Sequence, residues 1–417
     1  MYIGNILVVG LGPVGGFLVT YLIHKWGSDA VDITIYDPKL GNFSRKQILT
    51  IQPEIMKLID NEFPIKIKQE FHKIGCYVKN PAFDTDGKCY QTPTSEGFFT
   101  MRTCDIEKIF YKHILDLSKS NASKSKSSKS NITLHKRKLS TSLDLSAFDF
   151  IISSSGGRDH LNTLIGNKYK KEYLSNALIV TFDPVGRSVN HKIFKQETDG
   201  VSTLKRSIIQ KQLRYRGYKS KKGNYYLGVQ LGKKEIESLQ TFVEEHGEIT
   251  CKNMPKDLGA ILKNAYMKYE IDGIKCNTLS VSFFPIVRQT ASVPVDFIKK
   301  SQSLVFLLGD TLATPHFFSG VGVNSGFKVA YFLGNLLGET EDRQKIKRLY
   351  KKEAKEIQNF LAKMSRQVTV DMDQVDSMCE KYSKKEIYQL ARKNYLFPEN
   401  MSKREVCMSI GRIMLEK

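Results

Sequence analysis

The sequence predicts a mixed α/β protein, in which a parallel sheet with helices is joined to a mainly antiparallel domain and a helical C-terminal tail. Three observations predict it. The apolar run Ile6-Leu7-Val8-Val9 enters Gly10-Leu11-Gly12-Pro13-Val14-Gly15, after which Phe17, Leu18, Tyr21 and Leu22 recur at helical spacing. From Ser175 to Thr290, apolar and polar residues alternate in short runs such as Tyr225-Tyr226-Leu227-Gly228-Val229-Gln230-Leu231, which suits antiparallel strands. Beyond Glu339 the pattern is helical and charged to the C-terminus.

Composition limits what the chain can be. Its 417 residues are 41% hydrophobic and 10% aromatic, enough to bury two or three domain cores, so wholesale disorder is excluded. Lys and Arg number 64 against 43 Asp and Glu, a net charge of +21 that favours encounters with nucleic acid, an anionic membrane or an acidic protein without choosing among them. The seven cysteines include no CxxC pair, which argues against a disulfide framework or a structural zinc site and for a reducing, cytoplasmic home. Met1 to Ile23 carries no charged side chain and is long enough to span a bilayer. Its glycines and the lack of a basic flank read instead as a buried strand, turn and helix, with no signal peptide or membrane span.

The elements follow in order. Gly10, Gly12 and Gly15 form a GxGxxG turn between strand and helix, and a second strand, Val31 to Tyr36, ends at Asp37, 22 residues past Gly15. Such a turn needs Gly10 for the tight bend, Gly12 for close approach of a pyrophosphate and Gly15 for helix packing. The phosphate would rest on N–H groups at the helix start, and Asp37 would accept hydrogen bonds from an adenosine ribose. A helix is predicted around Ile106 to Leu115. From Ser118 to Asn131, 7 Ser and 4 Lys mark a mobile insertion before a strand near Ile132. Lys205 to Lys222 holds eight basic residues and no acid, and reads either as a solvated hairpin or as an anion-facing surface. Leu304 to Leu308 is the last strand of interest, and an apolar helix runs from about Gly322 to Leu337.

The segment between that strand and helix is the most specific. In it Gly309-Asp310 is followed by Gly320, Gly322 and Asn324, at offsets of 10, 12 and 14 from the aspartate. This stretch resembles the second FAD fingerprint of flavin monooxygenases that share the para-hydroxybenzoate hydroxylase fold. The resemblance implies an FAD-binding domain of the glutathione reductase type, with Asp310 on the ribityl chain and the Gly-rich turn at the flavin pyrimidine edge. The positive end of a helix starting near Gly322 would suit a reduced, anionic flavin. Thr100-Met101-Arg102 before a helix resembles the family's arginine, as does Arg45 just past the second strand; both become candidate contacts to the cofactor. His316 and Phe317 fall nearest the flavin ring by the same likeness, as pocket-wall residues. No catalytic triad or metal-ligand set is found, in keeping with a cofactor that carries the chemistry.

Within this family the sequence is similar to the monooxygenase domain of the MICAL proteins. The supporting stretches are Phe43-Ser44-Arg45 with Ile48 to Pro53, Phe148 to Ile152 leading to Gly156 and Arg158, and Gly309-Asp310 with Pro315, Gly320, Gly322, Gly326 and Phe327. The likeness implies an NAD(P)H-dependent monooxygenase working through a flavin C4a-hydroperoxide, either oxidising an acidic protein such as actin or producing hydrogen peroxide. A hydroxylase of a small aromatic or lipid-like molecule is the alternative. At Ser155-Gly156 the chain departs from the family, which carries Asp-Gly there; serine offers a hydrogen bond but no charge, so the likeness implies FAD more directly than NADPH or NADH.

The expected FAD domain is assembled from residues 1–55, 95–175 and 280–340, the substrate domain from 56–94 and 176–279, and the tail from 341–417. Within the tail, residues 381–415 look like a SAP-type helix-loop-helix. With the basic run, that leaves open a third reading: a flavin-fold protein without oxygenase activity that binds nucleic acid or an acidic protein.

Overall fold

The apolar runs read from the sequence become strands buried on both faces. The structure, a computed structural model, describes residues 2–78, 98–123, 132–157, 159–183, 215–219, 224–256, 258–259, 262, 273–369, 377, 379–393, 403 and 406–407. The first part of the chain forms β1 (Gly4–Val9), α1 (Pro13–Trp26), β2 (Val31–Tyr36), β3 (Ile48–Ile51), α2 (Pro53–Glu62), α3 (Ile65–Ile74), β4 (Cys76–Val78), β5 (Phe98–Arg102) and α4 (Thr103–Ser123). Next come β6 (Ile132–His135), β7 (Phe150–Ser153), α5 (Leu161–Leu164), β8 (Tyr169–Phe182), β9 (Tyr215–Lys219), β10 (Tyr225–Leu231) and α6 (Lys233–His246). The last part holds β11 (Ser280–Ala291), β12 (Val295–Phe297), β13 (Leu304–Leu307), β14 (Ala313–Thr314), α7 (Gly322–Glu339), α8 (Arg343–Val368) and α9 (Lys384–Lys393).

These elements fall into two compact units. The first comprises Met1–Cys76, Phe99–Glu172 and Val287–Val368; the second comprises Tyr77–Phe98, Tyr173–Ile286 and Thr369–Lys417. The first is built on a sheet of order β12-β13-β7-β1-β2-β6, parallel except for β12 against β13. Ile6, Leu7, Val8, Ile151, Ile152 and Leu304 to Leu307 are fully buried in it, as a parallel sheet covered on both faces requires. Phe17 of α1 stacks on Phe327 of α7 with ring centroids 4.6 Å apart, and Phe63 and Phe110 close the cluster. Each such ring contributes on the order of 2–3 kcal/mol through burial. Gly326, Gly334 and Gly338 lie where a Cβ would strike Val14, Tyr21 and Trp26, so α7 approaches α1 closely because its contact stripe has no side chains. Residues 56–76, expected on the substrate side, belong to this unit because Phe63 and Phe71 pack on Phe110.

In the second unit β10 pairs antiparallel with both β8 and β9, and every residue of β10 is buried. Leu178, Val180, Leu227, Val229 and Leu231 meet Ile236 and Leu239 of α6 in its core. Disulfides join Cys251 to Cys276 and Cys379 to Cys407, across 25 and 28 residues, and Cys76 is disulfide-bonded as well. This corrects the expectation of a reduced chain. Tertiary folding brings Cα atoms to 5.6 and 5.7 Å, ordinary disulfide spacing, so no local CxxC pattern was needed. Cys104 stays a buried thiol.

One further expectation shifts, and two lie largely outside the described residues. α4 continues through Ser123, so the Ser/Lys-rich segment begins as helix, and the rest of it up to Asn131 lies outside the described residues. The basic run at 205–222 is described only at β9, and the helix-loop-helix at 381–415 chiefly at α9. Among the described residues no helix is long and apolar enough to cross a membrane.

Candidate functional site: the first glycine turn and the late Gly-Asp segment

The first turn is shaped by its glycines and clamped by two side chains. Gly10 sits at φ +96°, a left-handed conformation that a Cβ would strain, and its N–H bonds the Tyr36 carbonyl. A Cβ on Gly15 would collide with the Gly10 carbonyl oxygen and lie 2.7 Å from Ser154 Oγ. Ser154 Oγ in turn donates to the Gly10 carbonyl at 2.6 Å. Asp37, at the end of β2, accepts from the Leu11 N–H at 2.7 Å through Oδ2 and from the Lys39 N–H at 2.7 Å through Oδ1. The acid therefore fastens the glycine loop.

Gly12 caps α1 with no side-chain hydrogen bond, and Pro13 follows at the first helical position. The helix start thus offers bare N–H groups and partial positive charge. Around Gly12 the nearest atom to a would-be Cβ is Arg45 Nη2, at 3.4 Å. Arg45 is half exposed and ion-paired with Glu107 of α4, whose side chain is only 5% exposed. Burial pushes the Glu107 carboxyl up, and the hydrogen bond from Arg45 pulls against that shift. The segments around Arg45 and Arg102 run side by side, with Cys104 N–H on the Arg45 carbonyl and Thr103 N–H on the Gln47 carbonyl. Arg102, at the end of β5, makes a two-pronged pair with Asp105, at 2.7 and 3.0 Å, so its guanidinium is turned onto the first turn of α4.

The late fingerprint arrives at the same place. Gly309, at φ +60°, and Gly326 both lie against the side chain of Val14, inside the first turn. Asp310 is exposed on the short helical turn between β13 and β14. Buried Thr311 accepts through Oγ1 from Gly156 N–H at 2.9 Å and Gly157 N–H at 3.1 Å, tying in the loop after β7. Ser153 at the end of β7 and Ser155 in that loop both donate to Asp159 Oδ2, at 2.7 and 2.5 Å, so an acid stands four residues from Ser155; Arg158 lies outside the described residues.

Gly320, at φ +65°, leads into Gly322, the first residue of α7, another helix start without a side-chain cap. Asn324 is fully engaged with the protein. Its amide donates to the Thr50 and Gly320 carbonyls at 2.9 and 2.8 Å and accepts from the Gln52 N–H at 2.9 Å. The structure therefore makes it a bracket that fixes the turn. His316 is wholly buried; its N–H bonds Ser365 Oγ of α8 at 2.9 Å, and its ring stacks on Phe317.

Gly10, Gly12, Gly15, Asp37 and Arg45 thus gather at one turn, and Gly309 touches it through Val14. Gly320, Gly322 and Asn324 form the second turn. Glu107, Ser154, Thr311 and Asp159 were not foreseen. Glu107 left one signal, an acid among Ile106, Ile109 and Phe110 where an exposed helix face would not put it.

No family model matches the sequence, and no curated protein matches it. Solved structures do. The p-nitrophenol 4-monooxygenase PnpA of Pseudomonas putida DLL-E4 aligns over 100% of this chain and 98% of its own, with a TM-score of 0.54 and 14% identity. OxyS, the anhydrotetracycline hydroxylase of Streptomyces rimosus, aligns over 98% and 76%, with a TM-score of 0.55 and 14% identity. Aklavinone-11 hydroxylase, solved with FAD and aklavinone, aligns over 81% and 62%, with a TM-score of 0.50 and 14% identity. The chain shares their fold. The α/β architecture expected from the sequence, with its parallel sheet, antiparallel sheet and helical C-terminal region, is thereby shown.

Proposed function

We propose that this chain is an FAD-dependent monooxygenase that hydroxylates a small aromatic molecule, with NADPH or NADH as electron donor. The carrying observation is that Gly309, of the late Gly-Asp pair, and Gly326, in the first turns of α7, both lie against Val14 of the first glycine turn, so that two uncapped helix starts fall in one unit. The donor set fits a dinucleotide: bare N–H groups and Arg45 for phosphate, Asp37 for ribose, and Asp310 exposed for ribityl hydroxyls. Bound FAD would supply the redox and oxygen-transfer chemistry. The chain's residues position it. Gly12 and Arg45 hold the phosphates, Asn324 fixes the turn before α7, and the positive start of α7 favours negative charge at the flavin's pyrimidine edge.

The MICAL likeness suggested a protein substrate. The structural neighbours support the small-molecule alternative better, since the three described above act on p-nitrophenol, anhydrotetracycline and aklavinone.

The test is a visible spectrum of the protein with FAD supplied, followed by anaerobic titration with NADPH and with NADH. Flavin bands that survive desalting and bleach with one donor are expected. Aerobic turnover is then compared between a panel of phenols and filamentous actin, with hydroxylated product expected only from a phenol. Absence of retained flavin overturns the reading.

A further inference from the structure

Glu107 is a buried carboxylate on α4, with neighbours Ile106, Ile109 and Phe110 at 0–2% exposure. A carboxylate in such surroundings is costly unless paired. Its partner, Arg45, reaches it from a different segment, the connection between β2 and β3. Arg45 is held at both ends: its carbonyl accepts from Cys104 N–H at 3.1 Å, and its Nη2 bonds Glu107. That same Nη2 lies 3.4 Å from the Cβ position of Gly12, over the uncapped start of α1.

The arrangement has a physical purpose. A half-exposed arginine samples many rotamers, and ordering one costs side-chain entropy. A bonded carboxylate beneath it removes most of that cost before any anion arrives. It also offsets the repulsion between a guanidinium and the positive end of a helix. An anion placed there meets N–H groups from the helix and a guanidinium already in position.

Resting on the FAD reading above, we infer that Glu107 is a positioning residue for cofactor binding: it holds the Arg45 guanidinium over Gly12, where Arg45 engages the dinucleotide pyrophosphate.

The test measures FAD affinity of the flavin-stripped protein by fluorescence quenching, for the wild type, R45A, E107A, E107Q and the R45A/E107A double variant. Competition by ADP and by adenosine is measured alongside. R45A and E107A are each expected to weaken FAD about 10–100-fold, as loss of a charge-assisted phosphate contact does. The double variant should be no weaker than the poorer single one, and E107Q, which keeps an acceptor for Arg45, should recover part of the loss. ADP, which carries the pyrophosphate, should lose potency in both single variants while adenosine keeps it. A merely structural role would weaken adenosine as well.

Additive losses, equal loss of adenosine, or unchanged affinity in both E107A and E107Q overturn the proposal while leaving the flavoprotein reading intact. If E107A does not fold, E107Q and R45A carry the comparison. A wild-type protein that binds no FAD overturns both.

Discussion

Gly15 shows how little freedom the first turn has. A methyl group there meets the Gly10 carbonyl oxygen within the turn and Ser154 Oγ just past β7, so backbone must move. G15A is expected to lose FAD on desalting and to cost about 1–3 kcal/mol in denaturant unfolding, the usual range for overpacking. Asn324 is the opposite kind of residue, held by three hydrogen bonds to backbone groups in a buried position. N324A leaves two carbonyls and an N–H without their partner. A loss of about 3 kcal/mol or more is expected by urea titration, since each unsatisfied buried group costs about 1–3 kcal/mol. The glycines and Asp37 were legible in the sequence because turn geometry demands their residue types at fixed spacing. Glu107 and Thr311 were not, because an acid or a threonine acquires its role only from what folding sets beside it.

At the scale of elements, α1 and α7 are matched by shape. Gly334 faces Tyr21, which is fully buried and bonds Asn335 through its hydroxyl. G334A is expected to force the ring aside and lower stability by about 1–3 kcal/mol without altering flavin spectra, readable by thermal melting. α4 carries a second, pH-dependent weakness. Burial pushes the His113 imidazole below the usual histidine range. The folded state therefore resists the protonated form, and the unfolded chain binds the proton more readily. Stability from this residue is intact above the unfolded value of about 6.5 and falls as pH drops through it toward the lower folded value. Urea midpoints at pH 7.5 and 5.5 should show this fall in the wild type and a smaller one in H113Q. Helices and strands with long apolar runs were legible before the structure. The continuation of α4 to Ser123 was not, since serine and lysine composition says nothing about a helix that the preceding apolar turns have already nucleated.

For the whole molecule, the disulfides overturn the ground on which a reducing home was inferred. Disulfides persist in oxidising surroundings and are uncommon where thiols are kept reduced. Reduction of Cys251–Cys276 and Cys379–Cys407 is expected to cost the second unit about 3 kcal/mol per bond for loops of 25 and 28 residues. Scanning calorimetry with and without reductant should show an early transition in the reduced sample, and, on the proposed function, no loss of flavin from the first unit. The cysteine pairing was hidden because its partners are adjacent in space and distant in the chain. The net charge of +21 was plain from composition, yet its use stays a matter of surface geometry.

The contact of Val14 with Gly309 and Gly326 also sets a clock for synthesis. The opening turn leaves the ribosome some 300 residues before the segments that finish its pocket, an interval of roughly 15–60 s at about 5–20 residues per second. Nascent chains stalled short of Gly309 should therefore let labelled flavin wash away, and chains released past α7 should keep it. On the proposed function, coenzyme loading would be a late event in the life of the polypeptide, and a cell short of riboflavin would accumulate finished apoprotein rather than stalled fragments.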